Sequence, residues 1–368
     1  MPDLSVLNSA VVWGSFAVAF CLGILMQRTN FCTMGAVADI ANMQDWNRMR
    51  MWLLAIGVAI AGTQALGAIG LIDLSQSFYT GPRLLWVSHA LGGLLFGIGM
   101  VLASGCGSKT LLRIGAGNLK SLVVFLVLGL FAYMTMRGVF GVLRVSTVDR
   151  AAIDLGVGQD LPRLFAGTTS DTLATWRWAL GIVLGLGLAV IVAAPKEFRS
   201  NLNHWLGGLG VGGAIVATWA ISGHLGYLAE HPETLDAAFL ATNSGRMESL
   251  SFVAPVAYSL ELAMLWSDKS KIVTLGIASV AGMVLGSFVY SVATRTFRWE
   301  GFANAEDTAN HLVGGALMGI GGVTAVGCTV GQGLSGLSTL ALGSMIAFTA
   351  MVGGGFLALR YQMWRIGV

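Results

Sequence analysis

The sequence predicts an all-α polytopic membrane protein, an inverted-repeat helical bundle with about nine transmembrane helices and four short re-entrant helices. Three observations lead there. Hydrophobic residues make up 55% of the 368 residues and charged residues only 11%, with a mean hydropathy of +0.75, whereas soluble domains carry roughly 25% charged residues. Apolar runs of about 20 residues, the length that crosses a bilayer, recur along the whole chain. Glycine occurs 51 times, about twice its usual share of roughly 7%, and small residues let membrane helices approach closely.

The apolar runs at 10–26, 51–72, 86–104, 121–141, 176–194, 204–222, 272–292, 311–327 and 340–359 are the expected spans. Four segments, near 31–41, 107–117, 252–265 and 329–339, are shorter or interrupted by glycine and polar residues. They read as short helices, tolerated at membrane depth only where protein or water covers their backbone. Asp3 and the absence of Lys or Arg before Arg28 leave no basic signal-peptide region, so the first run is expected to stay as a span. The net charge of +3, without a run of five like charges, excludes a nucleic-acid binder of the basic-tail kind.

Two stretches 222 residues apart carry the same pattern: His89-Ala-Leu-Gly-Gly-Leu-Leu-Phe-Gly-Ile-Gly-Met-Val-Leu-Ala-Ser-Gly-Cys106 and His311-Leu-Val-Gly-Gly-Ala-Leu-Met-Gly-Ile-Gly-Gly-Val-Thr-Ala-Val-Gly-Cys328. The match extends to whole spans, pairing 10–26, 51–72, 86–104 and 121–141 with 204–222, 272–292, 311–327 and 340–359. Run 176–194 is left as a connector, and an odd connector between even repeats inverts the second copy. The chain is thus expected to be one membrane domain, 1–368, built of a first repeat (1–145), an external loop with a connecting helix (146–200) and a second, inverted repeat (201–368). The polar stretch 142–175, with Asp149, Asp154, Asp160 and Asp171, is the expected external loop. With the N-terminus outside, eleven Lys and Arg of the short loops and tail (Arg48, Arg50, Lys109, Arg113, Lys120, Lys196, Arg199, Arg295, Arg298, Arg360 and Arg365) face the cytoplasm against seven opposite. The positive-inside rule then puts the C-terminus in the cytoplasm.

The four cysteines, Cys21, Cys32, Cys106 and Cys328, form no C-x-x-C pair and have no histidine at metal-ligand spacing, which argues against zinc and against a dithiol redox motif. No cofactor is expected. Cys106 stands in Ala103-Ser-Gly-Cys-Gly-Ser-Lys-Thr-Leu-Leu-Arg-Ile-Gly-Ala-Gly-Asn118. Gly105 and Gly107 free the backbone to turn there, and the short helix after the cysteine presents N–H groups that favour an anion. Lys109 and Arg113 add positive charge. Close helix packing of a buried thiol is the alternative for one such cysteine, but Gly327-Cys328-Thr-Val-Gly-Gln-Gly333 repeats the arrangement. Cys32 comes after the polar patch Gln27-Arg-Thr-Asn-Phe, where Arg28 either snorkels to the interface or opens the first short segment. The second copy has no cysteine at that place, near Ser251-Phe-Val-Ala-Pro255. Cys21 reads as packing, Asp39 and Glu261 as equivalent carboxylates in the two short segments, and His89 and His311 as helix-end residues.

Thiols suit a pathway for a soft anion. A fixed cation deep in the membrane is costly and would trap its ligand. A thiol is a neutral, weak donor, and conduction needs binding weak enough to leave.

At these motifs the chain resembles the YeeE/YedE family of membrane proteins, the bacterial thiosulfate transporters and their relatives. The resemblance covers essentially the whole chain. It implies uptake of thiosulfate across the inner membrane as a sulfur source and a bundle pinched at its middle by short helices. It also implies a conduction path carrying Cys32, Cys106 and Cys328, with Gly105, Gly107, Gly327, Lys109, Arg28 and Asn118 beside them, and a separate small cytoplasmic sulfur-carrier protein as partner. Other sulfur or selenium compounds, or a membrane thiol oxidoreductase or sulfurtransferase, are the competing readings of the same motifs.

Overall fold

The computed structural model describes residues 4–167, 170–232 and 235–365. Fifteen α-helices are described: α1 (Leu4–Thr29), α2 (Thr33–Met43), α3 (Asn47–Ala68), α4 (Trp86–Leu102), α5 (Gly107–Gly115), α6 (Leu119–Arg137), α7 (Val139–Ser146), α8 (Leu161–Ala166), α9 (Ser170–Ala193), α10 (Lys196–Ser200), α11 (Leu202–Ala220), α12 (Ala254–Met264), α13 (Leu275–Ala293), α14 (Ala305–Thr324) and α15 (Leu342–Arg365). Two further segments, Ile221–Leu225 and Gly331–Gly336, are π-helical. Strand is confined, among the described residues, to two pairs of two-residue strands. This helical dominance reflects the bilayer, where a helix satisfies every backbone group within its own segment.

Eight helical segments among the described residues are long and apolar enough to cross a membrane, one fewer than the nine expected runs. The run at 311–327 is the exception. It falls in α14, whose first turn carries Glu306 and Asp307. All four expected short segments are present, as α2, α5, α12 and the helix around Gly331–Gly336. One differs in course. α5 does not fold back but completes the crossing that α4 begins, giving one broken span over Trp86–Gly115. The polar stretch 142–175 is also more ordered than a loop. It contains α7, α8 and Ile153–Asp154 paired with Arg83–Leu84, while residues 168 and 169 lie outside the described set.

Contacts between connections define two faces. On the first, which we call the loop face, Arg83 and Leu84 pair with Asp154 and Ile153, and Ser77 bridges Met247. On the second, the basic face, the Leu119 N–H donates to the Glu300 carbonyl (2.9 Å), Lys120 pairs with Asp307 (3.0 Å) and Arg365 with Glu306 (2.9 Å). So α4 leaves the loop face and α14 leaves the basic face. They run antiparallel through the centre, and α6 and α15 return beside them.

The two glycine-rich helices meet reciprocally. A Cβ on Gly92 would lie 2.7 Å from the Gly321 carbonyl oxygen, and one on Gly321 would lie 2.7 Å from that of Gly92. Gly99 and Gly314 stand in the same mutual relation, again at 2.7 Å. Only glycine permits such backbone contact. Each helix thus presents the same residues of the shared pattern to the other, in opposite order. Dispersion between closely apposed backbones replaces the hydrophobic drive that lipid cannot supply.

Gly99→Val should therefore destabilise the bundle by about 1–3 kcal/mol, the usual cost of overpacking. Gly187, in α9, has open space where a Cβ would stand, with no other atom within 4 Å, and should tolerate Ala. Thermal unfolding in detergent checks both, with a clear drop in Tm expected for the first and none for the second.

Candidate functional site

Each buried thiol sits where one helix ends and a shorter one begins. Asn30, Ser104 and Val326 all adopt left-handed backbone, with φ of 51°, 55° and 63°. The N–H of the next residue reaches back five positions in every case, Phe31 to Met26 (3.2 Å), Gly105 to Met100 (2.8 Å) and Gly327 to Gly322 (2.8 Å). That pattern satisfies the last carbonyls of a helix and stops it. A β-branched valine in this conformation is unusual, so position 326 is held by its surroundings. The residue after next is the cysteine.

Two of the sulfur atoms then cap the shorter helices. Cys32 Sγ accepts from the Gly35 N–H at 3.5 Å and Cys328 Sγ from the Gly331 N–H at 3.4 Å. Both use the spacing of an N-cap side chain. Cys106 occupies the N-cap position of α5 without a side-chain capping bond. The N-terminal approach to α12 joins them, since the Phe252 N–H donates to Cys328 Sγ at 3.4 Å and Ser251 Oγ lies 3.9 Å from it. Four helix starts therefore converge on three sulfur atoms, and each start carries a partial positive charge.

The thiols are also contiguous. Those of Cys32 and Cys106 hydrogen-bond each other. Cys106 is further bonded to the hydroxyls of Ser108 (3.3 Å) and Thr329, and Thr329 is the residue directly after Cys328. Cys106 and Cys328 are 0% exposed and Cys32 is 5% exposed. Cys21, by contrast, is exposed on α1. The order Cys32, Cys106, Thr329, Cys328, Ser251 forms a line of weak donors through the middle of the bundle.

On the loop-face side this line ends at a cavity of about 380 Å³ that extends from Asn243 and Ser244 to Ser251 and Gly327. Its wall includes Tyr79, Tyr258 and Glu248, with the Arg144–Asp149 ion pair (3.1 Å). Burial pushes the Tyr79 phenol well above its ordinary value, so it faces the cavity as a donor. Burial also raises the Glu248 carboxyl, against the donors of Ser244 and the Asn243 backbone.

The sequence-derived candidates separate cleanly. Gly107 begins α5 beside Phe252, whose carbonyl oxygen would be at ordinary contact distance, 3.7 Å, from a Cβ there. Gly327, at φ 157°, would place a Cβ 3.1 Å from Gln332 Cγ. Gly105 lies between Lys109 and Arg113, whose Cγ and guanidinium nitrogen would be 3.2 and 3.9 Å from its Cβ. Two candidates are not brought to the thiols. Arg28 is exposed in the last turn of α1. Asn118 is on the basic face, where it caps α6 through the Ser121 N–H and donates to Glu300 at 2.8 Å. Asp39 and Glu261 are paired, with Arg48 (3.2 Å) and with Lys271 (2.7 Å). His89 and His311 each donate Nδ1–H to a carbonyl four residues earlier, of Leu85 (2.6 Å) and Asp307 (2.7 Å). The residues not anticipated are Thr329, Ser108 and Ser251, although a hydroxyl beside or near each Gly-Cys is visible in the motifs.

If the three buried thiols are sealed in this way, N-ethylmaleimide should modify native protein in detergent at Cys21 alone and SDS-unfolded protein at all four cysteines. Intact mass reads the difference, and rapid native labelling of Cys106 would contradict the packing.

The chain is similar over most of its length to proteins of sulfur transport. A family model described as sulphur transport matches residues 28–357. The thiosulfate transporter TsuA of Escherichia coli (strain K12) is 29% identical over 329 residues, covering 85% of this chain and 84% of that protein. The thiosulfate transporter TsuA of Spirochaeta thermophila is 26% identical over 339 residues, covering 92% and 94%. These names describe transporters and not enzymes. With its duplicated Gly-Cys motifs, broken spans and match over nearly its full length, the chain belongs to the sulphur transport (YeeE/YedE) family.

Proposed function

We propose that the protein takes up thiosulfate through the inner membrane, from the cavity on the loop face, past Cys328, Cys106 and Cys32, to the basic face. The observation that carries this reading is the contiguous line of three buried thiols, each at the start of a helix. A soft oxyanion bearing a terminal sulfur can accept S–H and N–H donors in turn. At Cys328 the helix starts supply positive potential without a fixed charge, since small, uncharged residues follow it. No single donor binds strongly enough to hold the anion, which is what passage requires.

The division into a first copy (1–145), a connecting region (146–200) and an inverted second copy (201–368) belongs to the same reading. The opposed courses of α4 and α14 support it. So does the constant offset of 222 residues that relates Cys106 to Cys328, Asp39 to Glu261 and Ser104 to Val326. The loop face, with the N-terminus, is then periplasmic, and the basic face, with the C-terminus, is cytoplasmic. A small sulfur-carrier protein would meet the substrate on the basic face.

Uptake of radiolabelled thiosulfate in a strain lacking other thiosulfate importers tests this. The wild-type chain should raise uptake above empty vector, and Cys106→Ala should reduce it at least tenfold. Cys32→Ala and Cys328→Ala should also impair it, whereas Cys21→Ala should stay within twofold. Sulfate should compete less well than thiosulfate. Equal uptake by Cys106→Ala and wild type, at matched membrane amounts, would overturn the proposed path.

A further inference from the structure

The scaffold is nearly symmetric about the bundle centre, but its charge is not. At the 222-residue offset, Lys109 corresponds to Gly331, Arg113 to Ser335 and Cys32 to Ala254. One end of the thiol line therefore carries two cations and a third thiol where the other end carries small, uncharged residues. Among the described residues, neither Lys109 nor Arg113 has a carboxylate within ion-pair distance. Both flank Gly105, the residue before Cys106.

A third cation reaches the same place from another element. Arg48, in the first turn of α3, lies against Gly35, where its guanidinium occupies the space a Cβ would need. Gly35 is the residue whose N–H caps Cys32 Sγ. Arg48 also interacts electrostatically with Lys109, as do Cys32, Cys106 and Arg113. Its carboxylate partner is Asp39, at 3.2 Å. Thr33, directly after Cys32 and 0% exposed, has a hydroxyl with no partner. Three cations, with one carboxylate in ion-pair contact, stand next to an unpartnered buried hydroxyl. Glu300 also acts on Arg113, but it is paired with Lys120 at 3.4 Å, so an excess of positive charge is left. All three cations are half-buried, and an anion among them would offset the cost of bringing like charges together.

We propose that Lys109, Arg113 and Arg48 form a binding site for a divalent sulfur oxyanion at the basic-face end of the thiol line, and that Asp39 competes with the bound anion for Arg48. This rests on the transport reading above. The anion moves from weak donors at Cys328 and Cys106 to a site of fixed charge at Cys32. Asp39 then retakes Arg48 as the anion leaves, which keeps the site from becoming a trap. The loop-face end has no counterpart, so the two ends bind the anion with unequal affinity.

Membrane vesicles sorted by orientation, using a tag on the basic-face C-terminus, allow unlabelled thiosulfate to be added to one face at a time while labelled flux is recorded. Arg113→Gln and Arg48→Gln should each raise the half-inhibitory concentration at the basic face at least fivefold, and leave the loop-face value within twofold. Arg113→Lys should recover most of the loss, which separates charge from folding. Asp39→Asn, by freeing Arg48, should lower the basic-face value at least threefold and slow maximal flux. Normal wild-type flux with an unchanged basic-face value in both Gln variants, or with equal changes at both faces, overturns this inference alone. Tighter inhibition absent in Asp39→Asn overturns the competition. No flux in wild-type vesicles containing the protein overturns the transport reading on which both stand.

Discussion

A helix interrupted inside a bilayer exposes N–H groups that water cannot reach, and the whole centre of this molecule is organised around satisfying them. Each break costs several unpaired donors at the start of the next helix. Sulfur takes up part of that demand at Cys32 and Cys328, with N–H to Sγ distances of 3.4–3.5 Å. Thiol sulfur is a weak acceptor, so these N–H groups are held without being quenched. The same donors remain available to a stronger acceptor that comes close. In the proposed path, structure and transport draw on one set of backbone groups.

The break itself is built from local chemistry. Left-handed residues at Asn30, Ser104 and Val326 close the preceding helix, and the extended backbone of Cys32 and Cys106 opens the next. Mutual contact of Gly92 with Gly321 and of Gly99 with Gly314 brings the two broken spans together at the depth where their thiols fall. Hydroxyls complete the line. Thr329 connects the sulfur of one copy of the motif to that of the other.

Much of this is legible in the chain. Apolar runs disclose the spans because a bilayer demands length and hydrophobicity together; glycine marks three of the short helices, and proline and polar residues mark the fourth, α12. The duplicated Gly-Cys pattern discloses the meeting of Cys106 and Cys328. Arg28 and Asn118 are drawn toward the site only by their nearness in sequence to the motifs; a helix rotates successive residues by about 100°, and both face elsewhere. Arg48 escapes a sequence reading for the converse reason, since it is 16 residues from Cys32 and reaches it only because α2 lies against the start of α3. The run at 311–327 lies in α14, which passes between the two faces, but its first turn carries Glu306 and Asp307, so it falls short of the other spans in apolar length.

The reciprocal glycine contact has an evolutionary consequence. Its two sides are the same patch meeting itself, the condition for an isologous interface between identical subunits. A larger residue introduced into a single ancestral copy would have been felt at two places at once, which fixes the seam. Positions away from that axis, such as Lys109 and its uncharged counterpart Gly331, escape the constraint once the copies are joined in one polypeptide. Fusion thereby lets a device with two equivalent ends acquire a preferred direction.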